Sequence, residues 1–252
     1  MAKDDIRPLR PADLTEALVL LTRLPVRMGR PRGATSAWAW PLVGIVIGAL
    51  AGMVAGVALF LGLPLQIAGG LALATQIICT GAMHEDGLAD CADGFWGGQD
   101  RDRRLGIMKD SQIGTYGVLA LILSVGLRWQ ALVILMSYGH VFGPLLAAGV
   151  LSRAPMLVLM YAMPFARADG LARHVGQPGQ NVMLIGVTAA LIALLFTIGF
   201  WAIPLTIVVA MVTAGWGLLA RAKIGGQTGD VLGAAQQLAE VAALLTLAAL
   251  LW

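Results

Sequence analysis

The sequence contains few charged residues. Only 12% of its 252 residues are Asp, Glu, Lys or Arg, whereas 58% are hydrophobic, and a soluble domain usually has about 25% charged residues. The mean hydropathy is +0.82. So few charges would not cover the surface of a water-soluble fold of this length. The composition therefore excludes an ordinary soluble domain and indicates a protein of the lipid bilayer.

Cysteine is also scarce, and basic residues are not interleaved with aromatic ones. Cys79 and Cys91 are the only cysteines, and we expect free thiols rather than a disulfide framework. The net charge is only +3, so the sequence indicates no nucleic-acid partner. The charged N-terminal residues leave no apolar signal core, and we therefore expect the N-terminus to be retained.

Apolar runs of about 20 residues, the length that crosses a bilayer, recur along the chain. They predict an all-α fold: a polytopic membrane helix bundle of about seven spans, in a single integral membrane domain over residues 1–252. The predicted spans are 41–62, 64–83, 113–136, 139–163, 181–203, 204–220 and 233–252. Residues 12–24 are amphipathic but too short to span, and predict an interfacial helix within an N-terminal segment at 1–37.

The basic residues predict the orientation of the bundle. Fifteen of the 17 lie in the N-terminal segment or in three loops that begin near residues 84, 164 and 221. Lys and Arg favour cytoplasmic loops, so these segments are expected to face the cytoplasm. An odd number of spans would then leave Trp252 on the opposite side.

Half of the acidic residues occur in a predicted loop at 84–112. Seven of the 14 lie between Glu85 and Asp110. In a helix, the spacing of Asp86, Asp90 and Asp93 would place them on one face, where a hard cation such as Mg²⁺ would relieve their repulsion. A solvated acidic loop that caps a helix explains the same residues. The position beside an apolar span favours the metal site, because charges near hydrocarbon are costly.

The second half of this loop is basic and rich in glycine. It offers groups that could contact the phosphate oxygens of a metal-bound substrate: Arg103, Arg104, Lys109 and Ser111. The preference of Lys and Arg for the cytoplasm explains each basic residue equally well. His84 is a candidate general base, since imidazole exchanges protons near neutral pH. A structural histidine at a helix end is the alternative.

A second polar segment, 221–232, separates the last two spans. Gly225, Gly226 and Thr228 are candidate anion contacts, and Asp230 adds a carboxylate. A turn between helices with Asp230 as N-cap explains the same residues. The segment has no Walker A lysine. Further along, Glu240 lies in an apolar helix, where it should either face a polar cavity or be neutral.

Residues 84–117, HEDGLADCADGFWGGQDRDRRLGIMKDSQIGTYG, resemble the signature of the cobalamin synthase family, the adenosylcobinamide-GDP ribazoletransferases. Similar stretches are ALVLLTRLPV at 17–26, PLVGIVIG at 41–48 and GGQTGDVLGA at 225–234, so the resemblance extends over nearly the whole chain. Glu85 departs from the family pattern, which usually has an apolar residue there.

The resemblance implies a Mg²⁺-dependent transferase of late cobalamin biosynthesis in the bacterial cytoplasmic (inner) membrane. A ribose hydroxyl of α-ribazole, or of α-ribazole 5′-phosphate, attacks the cobinamide-linked phosphorus of adenosylcobinamide-GDP. GMP leaves, and the product is adenosylcobalamin or its 5′-phosphate. His84 or an aspartate would accept the proton. The implied metal ligands are Asp86, Asp90, Asp93, Asp230 and Asp110. Membrane lipid is an expected partner, and the resemblance is compatible with either a monomer or a homo-oligomer.

Two other functions compete with this interpretation. Asp90 and Asp93 match the start of the CDP-alcohol phosphotransferase motif, but Gly97 and Gly98 stand where that motif requires Ala-Arg. A transporter would use charges within its spans, as at Arg153 and Glu240, and the glycine-rich helices would agree with it. We detect no repeat between the two halves of the chain, and the acidic residues cluster outside the spans, so a transporter ranks below either enzyme.

Overall fold

The computed structural model describes residues 9–27 and 29–251, and helices joined by short non-helical segments make up most of them. Within these ranges the only strand-like pairing is an isolated parallel bridge between Phe165 and Gln227. The predicted all-α class is confirmed. The prediction of a retained N-terminus refers in part to residues 1–8, which lie outside the described ranges. Trp252, predicted to lie on the membrane side opposite the basic segments, is also outside them.

The α-helices, numbered in chain order, pack around two main apolar clusters. Two short 3-10 turns, at Gly33–Ala39 and Gly199–Trp201, precede α2 and α11. The helices are α1 Pro11–Leu21, α2 Trp40–Phe60, α3 Leu65–Thr80, α4 Met83–Gly97, α5 Arg101–Ile107, α6 Thr115–Ser137, α7 Phe142–Leu151, α8 Ala154–Ala162, α9 Leu171–Val175, α10 Gln180–Ile198, α11 Ala202–Ile224 and α12 Gly229–Leu251.

Several segments are long and apolar enough to cross a membrane. Among the described residues there are five, and the bent pair α3 and α4 makes a sixth if it counts as one span. These five are Gly33–Phe60, Thr115–Ser137, Phe142–Ala162, Gln180–Ile224 and Gly229–Leu251. They overlap the predicted spans. The prediction of about seven spans counts α10 and α11 as two spans, whereas Gln180–Ile224 is one continuous apolar segment here. The number of spans therefore stays a prediction.

The chain bends by 86° between α3 and α4. Gly81 ends α3 with a left-handed backbone at φ 65°, and Ala82 follows at φ 58°. A side chain at Gly81 would meet the Arg23 side chain, which lies against this bend. The prediction of a loop over 84–112 is wrong, because α4 and α5 occupy most of it. The bend turns α4 out of line with α3 and between α6 and α12.

The N-terminal helix α1 is fixed to the bundle by two carboxylates. Asp13 is fully buried; it accepts a hydrogen bond of 2.8 Å from Trp38 Nε1 and pairs with Arg32 at 2.5 Å. Glu16 accepts hydrogen bonds from the backbone N–H groups of Arg32 and Gly33. The predicted helix at 12–24 is confirmed as a helix. These bonds hold α1 beside the start of α4, where the functional cavity lies.

Candidate active site

Three aspartates meet where α4 crosses the start of α12. A Cβ at Gly87 would lie 2.8 Å from the Asp230 carbonyl oxygen, so glycine allows this close approach of the two helices. Asp86 is exposed, and Asp90 and Asp230 are half-buried. Their negative charges repel one another. We call Asp86, Asp90 and Asp230, together with Arg167, the carboxylate site.

Arg167 supplies the positive charge of this site. Its Nη2 lies 3.0 Å from Asp230 Oδ2. Its Nε and Nη1 are buried and have no hydrogen-bond partner among the described residues. These two nitrogens are therefore available to an anion, since a buried donor without a partner is costly. Sequence reasoning placed Arg167 only among the cytoplasmic basic residues, and no motif distinguished it.

The segment that carries Arg167 is joined to the glycine-rich segment between α11 and α12. Ala166 donates its N–H to Gln227 O at 2.9 Å, and Gln227 donates to Pro164 O at 2.8 Å. A side chain on Gly226 would clash with Pro164 O. Arg101 donates to Ala166 O and to Ile224 O and so links both segments. Arg167 is thus held in place by backbone contacts.

A cavity of about 130 Å³ opens onto the carboxylate site. Asp86, Arg167 and Asp230 line its polar side, and His84 lies at its inner end. Apolar side chains from α2 and α8, including Trp40 and Met160, complete the lining. A mostly apolar cavity with a few convergent polar groups is the usual form of a small-molecule site.

His84 is almost completely enclosed, with 1% of its surface exposed. Neither ring nitrogen has a hydrogen-bond partner among the described residues. The imidazole borders the cavity of the carboxylate site and also a smaller cavity deeper in the bundle. This position beside the carboxylates is compatible with the predicted general base, and that role stays a prediction.

Asp93 has a structural function that the sequence did not indicate. Its Oδ2 accepts the Gly114 N–H at 2.7 Å and its Oδ1 accepts the Gly117 N–H at 2.9 Å. The carboxylate therefore satisfies donors at the N-terminus of α6. A Cβ at either glycine would meet these oxygens. The predicted metal role is untested, but Asp93 turns toward α6 while Asp86 lines the cavity.

The predicted phosphate-binding residues of the 84–112 segment do not line the cavity in the described structure. Arg104 donates from all three guanidinium nitrogens to backbone carbonyls, those of Gly98, Gln99 and Lys223, each at 3.0 Å. Arg103 is exposed on α5. Arg104 therefore stabilises the contact between α5 and α11, and each of its three side-chain nitrogens already donates to a backbone carbonyl.

After the buried Met108 that follows α5, residues 109–113 are exposed. Lys109 pairs with Asp169 at 2.5 Å, and this hydrogen bond lowers the pKa of the Asp169 carboxyl. Asp110 accepts the Gln112 N–H at 3.1 Å, and Ser111 faces outward. Neither Asp110 nor Ser111 borders the cavity within the described residues, so their predicted roles have no support from position.

The glycine-rich segment is organised differently from the predicted turn. Gly225 ends α11 in the left-handed conformation at φ 80°. Thr228 Oγ1 accepts the Val231 N–H at 3.2 Å, which makes Thr228 the N-cap of α12. The prediction of Asp230 as N-cap is therefore wrong. Asp230 lies in the first turn instead, where a carboxylate is stabilised by the helix dipole and can face the cavity.

The carboxylate site has the donor chemistry for Mg²⁺, which prefers oxygen ligands. Across residues 9–27 and 29–251, no three His, Cys, Asp or Glu side chains are placed to hold one ion together. Mg²⁺ is commonly bound by one or two carboxylates with water and substrate phosphate. Asp86 and Asp230 border the same cavity, and they fit this mode of binding.

A second group of charges lies deeper in the bundle, between α4, α6, α8 and α12. Arg128 Nη2 lies 3.0 Å from Glu85 Oε1, and Arg128 Nη1 lies 3.8 Å from Glu240 Oε1. Arg153 donates to Gly149 O at 2.7 Å. We call Glu85, Arg128, Arg153 and Glu240 the buried charge cluster. The ion pair with Arg128 explains how the fold accommodates Glu85, where the family usually has an apolar residue. Glu240 faces a small polar cavity, which was one of the two alternatives expected for it.

The fold and the carboxylate site indicate an integral membrane enzyme of the all-α class, with a cavity at one end of its helix bundle that is lined by carboxylates and an arginine. Comparison with known proteins agrees. The family model of cobalamin-5-phosphate synthase matches residues 13–248, and the chain belongs to that family. The prediction of an enzyme from this family is confirmed.

Curated relatives cover nearly the whole chain. A protein of Bradyrhizobium diazoefficiens named adenosylcobinamide-GDP ribazoletransferase is 42% identical over 94% of this chain and 94% of its own length. Proteins of the same name from Mesorhizobium japonicum and Brucella anthropi are 40% and 41% identical, over 92% of this chain and 91% and 94% of their own lengths. No solved structure matches the chain.

Proposed function

We propose that the protein joins α-ribazole, or α-ribazole 5′-phosphate, to adenosylcobinamide-GDP and releases GMP, in a reaction that requires Mg²⁺. The observation that carries this proposal is the cavity between α4 and α12, where Asp86, Asp230 and Arg167 converge. Carboxylates for a divalent cation and a guanidinium for phosphate oxygens are the groups that phosphoryl transfer needs. The names of the relatives supply the substrates.

Each residue of the carboxylate site has a defined part in this proposal. Asp86 and Asp230 would hold Mg²⁺, with the nearby Asp90 adding negative charge, and the bound cation would neutralise charge on the pyrophosphate. Arg167 uses Nε and Nη1, the two nitrogens without protein partners, to bind phosphate oxygens. Its ion pair with Asp230 orients the guanidinium and leaves these donors directed away from that carboxylate.

The two substrates are the only reactants that this transfer consumes. The bond from the ribose oxygen to the cobinamide-linked phosphorus forms, and the bond from that phosphorus to the GMP oxygen breaks. The proton of the attacking hydroxyl passes to a base in the cavity, either His84 or one of the site's aspartates. His84 borders the cavity, and the unprotonated nitrogen of its neutral imidazole can accept this proton.

We further propose that the site faces the cytoplasm from the bacterial inner membrane. Arg101, Arg104 and Arg167 contact the segments that border the site, and Arg23 lies against the bend before α4. These positions agree with the preference of Lys and Arg for the cytoplasmic side. Apolar side chains on the outer helix surfaces, such as Phe60 at 90% exposure and Phe196 at 89%, support contact with membrane lipid.

The test measures GMP released by the purified protein in detergent. Adenosylcobinamide-GDP and α-ribazole are supplied with Mg²⁺ or with EDTA, to wild type, Asp90→Ala and a control, Asp102→Ala. The Asp102 side chain is 91% exposed on α5 and lies outside the cavity. We expect GMP only with both substrates and Mg²⁺, and loss of release in Asp90→Ala alone.

Two outcomes would contradict the proposal. The first is a well-folded wild type that forms no GMP but converts a CDP-linked lipid with an alcohol acceptor, which would identify a CDP-alcohol phosphotransferase. The second is equal loss of activity in Asp90→Ala and Asp102→Ala, because the carboxylate site would then have no special function.

A further inference from the structure

A second, larger cavity adjoins the carboxylate site. Its volume is about 550 Å³, compared with about 130 Å³ for the cavity at the aspartates. Both cavities are lined by Leu20, Met83, Leu171 and Val175. These shared side chains show that the two spaces are neighbours. A substrate whose reacting group is at Asp86 and Asp230 would extend from one into the other.

The two cavities differ in what they can hold. A water molecule takes about 30 Å³ in the liquid, so the smaller cavity has room for a phosphate group and a hydroxyl. Sites for drug-sized molecules usually measure about 300–1,000 Å³, and the larger cavity is within that range. A nucleoside is a molecule of this size, whereas a corrinoid is several times larger.

The lining of the larger cavity suits an aromatic base attached to a sugar. Aliphatic side chains of α1 and α9, such as Val19 and Val175, provide its apolar surfaces. Thr22 and Thr80 donate their hydroxyl protons to helix carbonyls and so offer only oxygen acceptors, while Arg23 and His174 add exposed polar edges. A mostly apolar lining with a few polar groups binds a ring by contact and fixes its orientation by hydrogen bonds.

The α1 side of this cavity is rigidly placed. Glu16 is part of the lining, but its carboxylate accepts backbone N–H groups of Arg32 and Gly33 at 2.9 to 3.0 Å. Thr22 donates its hydroxyl to Leu18 O and accepts the Leu24 N–H. Because α1 is held in this way, the cavity exists before any ligand binds, which reduces the cost of binding.

We propose that this larger cavity is a nucleoside subsite, in which α1 and α9 enclose an aromatic base while its sugar points toward the carboxylate site. The inference rests on the proposed function. Each substrate of that reaction contains one nucleoside: guanosine in the donor and ribazole in the acceptor. The chemistry they share is a heterocyclic base on ribose, and the experiment distinguishes between them.

The experiment fills the cavity without touching the carboxylate site. Val19→Trp places an indole in the larger cavity, since Val19 lines that cavity but not the smaller one. The matched control is Val187→Trp, which makes the same change in an apolar cavity between α8, α10 and α11. KM and kcat are measured for both substrates, with size-exclusion profiles in detergent to check folding, and Val19→Ala tests the opposite change in size.

We expect Val19→Trp to raise the KM of one substrate at least about tenfold, with kcat and the other KM little changed. A raised KM for α-ribazole assigns the subsite to the acceptor, and a raised KM for adenosylcobinamide-GDP assigns it to guanosine. Both KM values unchanged in a folded Val19→Trp protein would overturn the inference. The same change in Val187→Trp would also overturn it, because the effect would not be local.

Direct binding separates failure of this inference from failure of the proposed function. Equilibrium dialysis with labelled α-ribazole and labelled GMP needs no turnover. If wild type forms no product but binds one of these ligands, and Val19→Trp weakens that binding about tenfold, the subsite stands while the proposed reaction fails. Binding of neither ligand, or equal binding by wild type and Val19→Trp, counts against the subsite.

Discussion

The protein has two groups of charged side chains that share helices α4 and α12, and they differ in whether the charges balance within the group. In the buried charge cluster, Glu85 contacts Arg128 and Gln237, and Glu240 contacts Gln236 and lies near Arg128. In the carboxylate site, Asp86 is exposed, and Arg167 retains two nitrogens with no partner among the described residues.

This difference separates a structural from a functional use of charge in an apolar protein. A charge near hydrocarbon is costly, so it is either paired or used in function. The buried charge cluster contains two acidic and two basic residues, which balances its charge within the fold. The carboxylate site has three acidic residues and one arginine, and this excess of negative charge is suited to a cation. Four substitutions test the distinction.

The largest effect is expected at Asp86. Asp86→Asn keeps the size of the side chain but removes a negative charge from the carboxylate site, and we expect kcat/KM for GMP release to fall on the order of 10³-fold. The midpoint of thermal unfolding should stay close to wild type because Asp86 is exposed. A fall in unfolding midpoint that matches the loss of activity would place Asp86 with the structural charges.

Arg128 should show the opposite pattern. Arg128→Met leaves Glu85 and Glu240 without their shared partner, and breaking a buried ion pair in this way typically costs about 3–5 kcal/mol of stability. Unfolding in mixed detergent micelles measures this change, with Arg103→Met as the exposed control. If Arg128→Met unfolds as wild type does but has lost activity, the buried charge cluster belongs to the active site.

A smaller effect on activity is expected at Arg167. Arg167→Lys keeps the positive charge and the pairing with Asp230 but loses the planar arrangement of donors, which lysine cannot replace. We expect kcat/KM to fall about 10²-fold, the usual result of losing one hydrogen-bond donor to a transition state. Wild-type kinetics in Arg167→Lys would show that the site requires only a point charge there.

The smallest effect is expected at Lys109, which the sequence placed among the phosphate-binding residues. Lys109→Ala removes an exposed ion pair with Asp169, and such pairs contribute little, so kcat/KM should stay within about twofold. A large loss of activity would restore Lys109 to the site.

The same pair predicts a weak dependence of stability on pH. The lowered pKa of Asp169 means that the pair stabilises the folded state above the ordinary aspartate pKa. This contribution is lost as the pH falls through the lowered value. Comparing the unfolding of wild type and Lys109→Ala between neutral and acidic pH measures it, and the difference between them should disappear in acid.

The sequence predicted the site's carboxylates better than its basic residues. Asp86, Asp90 and Asp230 were identifiable because acidic residues are rare in this chain and stand at helical spacing or beside glycines. Arg167 could not be distinguished from other basic residues near the membrane surface. Its position depends on the backbone pairing of Ala166 with Gln227, which joins parts of the chain separated by about sixty residues.

Asp93 shows the limit of arguments from spacing. Its position in α4 relative to Asp86 and Asp90 agrees with a shared helix face, but α6 packs against that part of α4 and provides two N–H groups that the carboxylate accepts. Arg104 is similar, since the carbonyls that it contacts come from its own segment and from α11. Local patterns contain no information about which distant backbone groups will be nearby.

The amino-acid sequence by itself determined that this protein is an α-helical membrane enzyme of a recognisable family, because the length of apolar runs and the order of residues in a motif are properties of the chain alone. The tertiary structure decided which charged groups are balanced by opposite charges and which leave an excess of negative charge beside the cavity of the carboxylate site. That distinction depends on contacts between helices, such as the close crossing at Gly87, and the distances between groups on different helices arise only when the bundle packs.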